Sequence, residues 1–426
     1  MLSALRDRDY RLLWLGQAVS FLGDQFHLVA LPWLVLTLTK DPLQIGLVLA
    51  CASIPRAVFM LVGGAWADRH SPRLIMLVSD SIRFVVSALL AFAILSGGIE
   101  MWMVYTLALV FGTVSGFFHP AANVAIPRIL EDENLESGNS LFQIADQGAA
   151  FLGPAAAGVL IALFGRELVG SEEIASLTGI GIAFAIDTLT FAVSALCLGL
   201  MQPLPAPETG ADQHPLQAIK EGFVWLANEP EIRWVLIIIA LGNSLISGPL
   251  LVGLPVLASE RLGQGGAAAF GIILSVFAGG NLVGMVVAGS VPRLSGRGFV
   301  AATVGLVGGF GLAMMSLAFV DATWEALPLM ALVGVANGYM AVTFISQLQR
   351  VTPDAMLGRV MGLFMFSMYG LMPLSQIIAG VVVRQGVVLL FVAAGTSLLA
   401  VAALALTRPE LRSLSARLDI AEVSES

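Results

Sequence analysis

The chain has 426 residues, of which 58% are hydrophobic and only 12% are charged, and its mean hydropathy is +0.90. Soluble domains are about half apolar and about a quarter charged, so this composition excludes an ordinary soluble protein. The formal net charge of −8 argues against a nucleic-acid partner. Long apolar stretches recur along the chain without strict alternation, and they predict an all-α integral membrane protein rather than a membrane β-barrel.

Twelve apolar segments predict twelve transmembrane helices, separated by short breaks that carry turn residues. The first segment is too long for the apolar core of a cleaved signal peptide, so we interpret it as a true span. The predicted spans are 12–38, 43–67, 73–96, 101–126, 138–164, 177–201, 233–259, 268–291, 298–320, 325–348, 359–383 and 386–407.

The longest break, 202–232, begins with a polar, Pro-rich stretch and continues with a segment from Pro215 to Asn228 that can form an amphipathic helix at the membrane surface. It divides the chain into an N-terminal half (1–201) and a C-terminal half (233–408), followed by a tail (409–426). If the N-terminus is cytoplasmic, most of the 21 Lys and Arg residues fall on the cytoplasmic side, as the positive-inside rule requires. We therefore expect a multi-pass protein of the plasma (bacterial inner) membrane with both termini in the cytoplasm.

The two halves carry matching segments at a constant offset of 222 residues. Arg128 aligns with Arg350, Asp132 with Asp354, and the pattern continues for some thirty residues to Gly380. Two six-helix pseudo-repeats around a central loop predict alternating access to a site near the middle of the membrane.

The segment GAWADRHSPR joins the second and third predicted spans. Gly64 allows helices to approach closely. Asp68, Arg69 and Arg73 place both signs of charge on a short turn, where they can bond to neighbouring helix ends. A solvated turn without further function is the alternative.

This loop resembles the cytoplasmic signature loop of the major facilitator superfamily, whose twelve-helix fold the resemblance therefore implies. In that family the loop aspartate docks on the start of the eleventh helix and latches the outward-facing state. By resemblance, Asp68 would dock near Gly358 and Arg359. The chain departs from the family pattern at Ser71 and Pro72.

The segment GPAAAG in the fifth span resembles the antiporter motif of proton-coupled drug exporters, with Ala157 in place of the first Gly of a pair. Pro154 removes one backbone hydrogen bond and bends the helix, while Gly153 and Gly158 allow close packing. An ordinary contact of small residues between helices is the alternative.

Three further segments, LRDRDYRLLWLGQAVSFLGD, IKEGFVWLANEPEIRW and VTPDAMLGRVMG, resemble the macrolide-efflux and enterobactin-exporter branch of that superfamily. The resemblance implies a monomeric secondary exporter of drug-like or amphipathic small molecules that is coupled to protons and uses no cofactor or metal. An exporter of an endogenous metabolite such as a siderophore or lysolipid, a uniporter, and a transporter-like membrane sensor are the alternatives. We expect no enzyme, because the sequence has no nucleophile triad, metal-ligand set or phosphate-binding glycine loop beside a lysine.

Ionisable residues inside predicted spans are expensive and are therefore functional candidates. All of them lie in the first half of the chain. They are Asp24, Arg56, Asp80, Arg83, Asp146 and Asp187.

Asp24 shares a helix face with Gln17, Ser20 and His27, which recur at steps of three and four residues. We expect this face to line a central cavity. Arg56 lies at a similar depth in the second span and could pair with Asp24. A fixed ion pair and a site for a proton or a substrate cation are both open readings.

The remaining candidates have different expected roles. Asp80 and Arg83 are three residues apart and can form a structural pair along one helix. Asp146 in span 5 and Asp187 in span 6 are further acids that could carry protons. His119 in span 4 could relay protons, or it could simply bond across a helix contact.

The second half offers polar but uncharged groups, including Asn243 and Asn337, among residues such as Phe364 and Met368. A wall rich in Met and Phe with few fixed donors suits large lipophilic ligands of varied shape. Packing against lipid explains such residues equally well.

Overall fold

The computed structural model describes residues 3–67, 69–165, 172–204, 215–262, 265–291, 296–411 and 413, and these residues form helices joined by short connections. A short 3₁₀-helix, Ser3–Arg6, comes first. The α-helices that follow are α1 (Arg8–Thr39), α2 (Pro42–Ala67), α3 (Pro72–Leu95), α4 (Met101–Ile129), α5 (Asp132–Phe164), α6 (Glu172–Leu200), α7 (Pro215–Asn228), α8 (Pro230–Gly248), α9 (Leu254–Glu260), α10 (Gly266–Ser290), α11 (Gly296–Leu317), α12 (Thr323–Val351), α13 (Asp354–Tyr369), α14 (Met372–Val383) and α15 (Val387–Thr407).

The described residues contain twelve helical segments that are long and apolar enough to cross a membrane, which confirms the all-α membrane fold predicted from hydropathy. A helix forms in the predicted linker segment, since α7 begins at Pro215 and ends at Asn228, and its placement at the membrane surface stays a prediction. The offset of 222 residues predicted from the repeat also relates the positions at which helices of the two halves begin and end. α4 (Met101–Ile129) and α12 (Thr323–Val351) begin and end 222 residues apart, and so do the starts of α5 and α13.

Two spans are interrupted, which hydropathy did not predict. The seventh, Pro230–Glu260, contains the π-helical turn Pro249–Gly253 between α8 and α9. The eleventh, Met356–Val383, is divided between α13 and α14, with Pro373 in the first turn of α14. Proline has no backbone N–H and so favours such a break, and π-helical turns frequently occur at functional positions.

The hydroxyl of Ser375 connects these two interruptions. It donates a hydrogen bond to the carbonyl oxygen of Ser244 and accepts one from the backbone N–H of Gly248 at 3.0 Å. Those two backbone groups are four residues apart, so an ideal α-helix would join them directly. A side chain at Gly248 would collide with Ser375, so glycine is required there.

The chain divides into two compact units. One contains Met1–Asp212 together with Pro255–Ser275, and the other contains Gln213–Leu254 and Val276–Ser426. In the first unit α1 packs on α5 and α6, α3 packs on α4 and α6, and α2 packs on α4. In the second unit α8 packs on α13, α14 and α15, and α11 packs on α12 and α15. The first unit therefore includes the end of the seventh span and the first part of the eighth span.

Candidate transport site

Asp187 on α6 forms the centre of one buried polar group in the first unit. The side chain has no solvent exposure, and its Oδ2 accepts a hydrogen bond from the Ser87 hydroxyl at 2.7 Å. His27 Nδ1 lies 3.4 Å from the same oxygen. The other carboxylate oxygen has no hydrogen-bond partner among the described residues. Gly23 allows α1 to approach α6 this closely, because a side chain there would collide with Asp187 and Thr190.

Asp80 and Arg83 on α3 form a second buried group. Asp80 Oδ1 lies 3.5 Å from Arg83 Nη1, as predicted for residues three apart on one helix. Asp80 Oδ2 accepts a hydrogen bond from the Ser194 hydroxyl at 2.5 Å, and Gln17 Nε2 donates to the same hydroxyl at 3.0 Å. The pair therefore connects α3 to α6 and α1.

Three phenyl rings surround the Arg83 guanidinium, which the sequence interpretation missed. Its central carbon lies 4.5 Å from the ring centroid of Phe118 and 5.6 Å from those of Phe111 and Phe191. Cations are attracted to the faces of aromatic rings, and the attraction is stronger away from water. The rings come from α4 and α6, so the side chain helps to hold three helices together.

A second set of ionisable side chains in the same unit is partly exposed and consists of Asp24, Arg56, His119 and Asp146. Arg56 Nη2 lies 3.1 Å from His119 Nε2, and Asp146 Oδ2 accepts a hydrogen bond from Gln147 at 3.2 Å. Asp24 interacts electrostatically with Arg56 and with Asp146. The four side chains come from α1, α2, α4 and α5, and together they form what we name the accessible charge cluster.

The pair expected between Asp24 and Arg56 stays a prediction. The two side chains interact electrostatically, while the Arg56 guanidinium also lies against His119. Spacing along a helix indicates which residues share a face, but it does not indicate the rotation of the neighbouring helix.

The polar face of α1 is also placed differently from the expectation. Gln17, Ser20 and His27 are buried inside the first unit, and only Asp24 on that face is partly exposed. Glycines on α1 allow α6 to approach so closely that it covers the face; a side chain at Gly16 would press on Ser194 and Cys197. The expectation that the whole face lines a cavity was therefore wrong.

The signature loop is described in part. Asp68 lies outside the described residues, so its docking stays a prediction. Gly64 lies within α2, and Arg69 is exposed in the turn that follows. Arg73 Nε donates to the Leu198 carbonyl at 2.7 Å and Nη2 to that of Gly199 at 2.8 Å, so its cation bonds the C-terminal end of α6.

Arg359, which was assigned to the same latch, has a partner in the linker helix. Its Nη2 lies 2.7 Å from Oε2 of Glu221 on α7. Gly222 of α7 also approaches Arg359 closely, and the ring of Phe223 meets Phe366 edge-on at 6.5 Å. Gly358 precedes Arg359 on α13, so in the second unit this end of the eleventh span is bound by α7.

The motif segment of α5 packs tightly on α10. A side chain at Gly158 would collide with the Ala267 carbonyl, and one at Gly271 would collide with the Pro154 carbonyl. Gly153 is equally close to α1, where a side chain would meet Gln25. The small residues therefore allow three helices to meet.

Pro154 also changes the hydrogen bonding of this contact. The backbone N–H of Ala155, which follows the proline, donates to the Ser275 hydroxyl on α10 at 2.8 Å. This part of α5 is thus bonded to the eighth span through a side chain, in addition to its close packing.

The second unit contains an apolar cavity that is partly open and is lined by residues of α8, α11, α12 and α13. Asn243 and Asn337 are its polar lining residues, and no lining side chain that the structure describes is charged. The expected Met- and Phe-rich wall is partly present, since Phe364 and Met368 line this cavity. Phe366 and Met365, on the same helix, are less than half exposed and do not line this cavity.

The chain matches the family model of the Major Facilitator Superfamily over residues 13–376, and it belongs to this superfamily of membrane transporters. It is therefore a multi-pass transporter, as the signature loop indicated. The multidrug efflux pump Tap of Mycolicibacterium fortuitum is 26% identical over 402 residues, which cover 92% of this chain and 93% of that protein. The enterobactin exporter EntS of Shigella boydii serotype 18 is 25% identical over 361 residues, with coverage of 83% and 80%.

Solved structures support the same fold. The nucleoside transporter NupG superposes with a TM-score of 0.69 at 16% identity, covering 96% of this chain and 98% of that one. A bacterial homologue of the iron transporter ferroportin, in an inward-facing state, gives 0.68 at 18% identity, with coverage of 94% and 99%. At these identities the likeness shows the fold alone.

Proposed function

We propose that the protein is a secondary active exporter of drug-like or amphipathic small molecules, which exchanges its substrate for protons by alternating access. Two relatives that cover most of the chain are a multidrug efflux pump and an enterobactin exporter, and both names describe export. We further propose that it acts as a monomer in the bacterial inner membrane with both termini in the cytoplasm, in line with the distribution of Lys and Arg.

The accessible charge cluster is the observation that carries the coupling part of this proposal. It contains two carboxylates, Asp24 and Asp146, and one guanidinium, that of Arg56, while the buried Arg83 that also acts on Asp24 is already paired with Asp80. When both acids are ionised, the cluster has one negative charge in excess, which is unfavourable inside a membrane. Either a proton or a substrate cation neutralises that charge, and each makes the other unnecessary. Such competition is the physical requirement for antiport.

Asp24 is the acid that we assign to this exchange, because it is partly exposed and makes no hydrogen bond among the described residues. Asp146 shares the negative charge. Arg56 supplies the positive charge of the cluster, and His119 Nε2 accepts a hydrogen bond from it. We assign Asp187 as a second, buried acid on the path of the proton. It interacts electrostatically with Asp24, and its carboxylate accepts a hydrogen bond from Ser87.

Transport into or out of proteoliposomes with an imposed pH gradient tests this function. The solutes to be tested are lipophilic cations, macrolides and siderophores. In a parallel sample an ionophore collapses the pH gradient. We expect at least one of these solutes to accumulate against its gradient, and the accumulation to end when the pH gradient is collapsed. Accumulation that survives the collapse for every transported solute contradicts proton coupling.

The matched variants are Asp24→Asn and Glu133→Gln. Glu133 is an exposed acid in the first turn of α5, outside the cluster, so its neutralisation should leave coupled transport unchanged. Asp24→Asn should reach the membrane in normal amount and lose gradient-driven transport. If it transports like the unmodified protein, the assignment of Asp24 is wrong.

Export of an endogenous metabolite, such as a siderophore or a lysolipid, is a second candidate. It is favoured by the similarity to an enterobactin exporter and by the uncharged cavity of the second unit. A sensor without transport is the candidate from a different class. Binding of a panel solute without any movement across the bilayer would favour that sensor over both kinds of exporter.

A further inference from the structure

His27 on α1 is a buried histidine with one acidic partner. It is 7% exposed, and its Nδ1 lies 3.4 Å from Oδ2 of Asp187, which has no exposure. Among the described residues, this ring is the only cationic partner within ion-pair distance of the Asp187 carboxylate. The buried guanidinium of Arg83 is paired with Asp80 instead. Asp187 therefore depends on His27 for a counter-charge.

The two side chains together have no net charge only when they hold one proton. That proton is either on the ring, which gives an imidazolium beside a carboxylate, or on the carboxyl group, which gives two neutral groups. Without it, the carboxylate is an uncompensated charge in a place closed to solvent, which is strongly unfavourable. The pair is therefore a binding site for one proton, and it releases that proton most readily when a positive charge elsewhere compensates for the loss.

Two aromatic rings fix the orientation of the histidine. Phe111 on α4 stacks on the His27 ring with the centroids 4.0 Å apart and an angle of 11° between the planes. Phe184 on α6 meets the ring edge-on at 5.3 Å. These contacts restrict rotation of the imidazole, so that one ring nitrogen stays beside Asp187. A stacked phenyl face also favours a protonated ring, because cations are attracted to aromatic faces.

The carboxylate of Asp187 is arranged to share the proton. Its Oδ2 accepts the hydrogen bond from the Ser87 hydroxyl at 2.7 Å and also faces His27. Its Oδ1 is buried and has no hydrogen-bond partner in the described part of the chain. Oδ1 can therefore take a proton without the loss of either contact at Oδ2.

Asp24 connects this pair to the partly exposed charges. It precedes His27 by three residues, so both side chains lie on one face of α1, and the two interact electrostatically. An imidazole has two nitrogens on different sides of the ring, and each can hold a proton. A proton that reaches the nitrogen away from Asp187 forms a new N–H bond there. The proton on the nearer nitrogen can then pass to Asp187, which leaves the ring neutral.

Other charges around His27 are more distant partners. α1 packs on α2, α4, α5 and α6, and Asp187 is the acid that α6 contributes. Arg83 on α3 contacts the same Phe111 ring, with its central carbon 5.6 Å from the centroid. The other three helices contribute the remaining members of the accessible charge cluster, Arg56, His119 and Asp146.

We propose that His27 carries the coupling proton from Asp24 to Asp187 and holds it jointly with Asp187. This inference rests on the proposed proton-coupled export, and it adds to the coupling a residue that the assignment of Asp24 alone does not require. Phe111 and Ser87 are positioning residues for this step, since they hold the ring and the carboxylate in place.

The first test needs no transport. The full chain in nanodiscs, with isotope-labelled histidine and aspartate, is titrated with acid and followed by NMR. The chain contains four histidines, so the His27 signal is identified by its absence in His27→Gln or, if that variant does not fold, by replacing the other three in turn. We expect the His27 and Asp187 signals to change at the same pH, because one proton is taken up by both.

Two variants sharpen this titration. Asp187→Asn removes one of the two places for the proton, so the His27 signal should change at a pH at least about one unit away from that in the unmodified protein. Glu133→Gln neutralises an exposed acid of α5 outside the cluster and should leave the His27 signal unchanged. A His27 signal that stays constant during the titration, or that Asp187→Asn does not alter, overturns the inference.

Transport by His27→Gln is the second test. Glutamine still forms hydrogen bonds but cannot carry a proton. In proteoliposomes this variant should lose most of its gradient-driven accumulation and still exchange substrate across the bilayer when no pH gradient is imposed, whereas a purely structural role would reduce both. Circular dichroism and a monodisperse elution profile show whether the variant is folded.

The outcomes separate this inference from the proposed export. Normal gradient-driven accumulation by His27→Gln refutes the role of His27 and leaves proton-coupled export standing. A proton shared by His27 and Asp187 in a protein that shows no gradient-driven transport refutes the coupling, while the buried proton site itself stands.

Discussion

Arg83→Met removes the cation from a pair that is closed to solvent. Asp80 has no exposure and Arg83 has about 2%, so the remaining carboxylate would be buried without its counter-charge. Breaking such a pair costs about 3–5 kcal/mol. Loss of the contact between the guanidinium and the Phe118 ring, at 4.5 Å, adds about 1 kcal/mol. We therefore expect a loss of about 4–6 kcal/mol in the free energy of unfolding.

The matched variant is Asp80→Asn combined with Arg83→Met. The amide oxygen of Asn can still accept the hydrogen bond from Ser194, and no uncompensated charge is left in the core. A neutral replacement of a buried pair is often close to neutral in stability, so this variant should lie within about 2 kcal/mol of the unmodified protein.

Both variants can be measured by unfolding in mixed micelles with increasing fractions of denaturing detergent, followed by circular dichroism. If the single variant is as stable as the double variant, the buried Asp80–Arg83 pair does not stabilise the fold. Transport adds a second readout. A double variant that is stable but has lost gradient-driven transport would show that the pair takes part in coupling as well.

Three further outcomes are expected. Asp187→Asn keeps an acceptor for the Ser87 hydroxyl but removes a charge, so thermal unfolding should be unchanged while gradient-driven transport decreases; full transport would remove Asp187 from the proton route. Glu221→Arg should release α7 from α13 and increase proteolysis in the linker, with a change of only about 1 kcal/mol because Glu221 is 41% exposed. The charge swap with Arg359→Glu should restore protection, and a swap that stays sensitive would contradict the pairing. Gly158→Leu should prevent the contact of α5 with Ala267 and lower the yield of folded protein, whereas an unchanged yield and thermal stability would show that the contact can open to admit a side chain.

Composition, hydropathy and helix periodicity were sufficient to predict the number of spans, the linker helix and the repeat. They were also sufficient for the Asp80–Arg83 contact, because both residues lie on one helix and their relative position follows from its geometry. These features depend on local sequence. The superfamily was found in the same way, from a short loop motif that occupies a defined place between two spans.

Contacts between helices were harder to predict. Arg56 meets His119 and His27 meets Asp187, and both pairings depend on how neighbouring helices are rotated. The rotation of α1 is set by glycines such as Gly23, which admit α6 at one face only. The spacing of residues in one sequence does not show which glycine allows a neighbouring helix to approach. The aromatic surroundings of Arg83 have the same origin, since the rings come from two other helices.

The interrupted seventh span has a consequence for how the second unit can move. The Ser375 hydroxyl bonds a carbonyl and an N–H of the seventh span at the same time. If the eleventh span moved away alone, it would give up both bonds inside the membrane, where a lost hydrogen bond is costly. We therefore expect the end of α8 and the start of α14 to move together when the protein changes conformation.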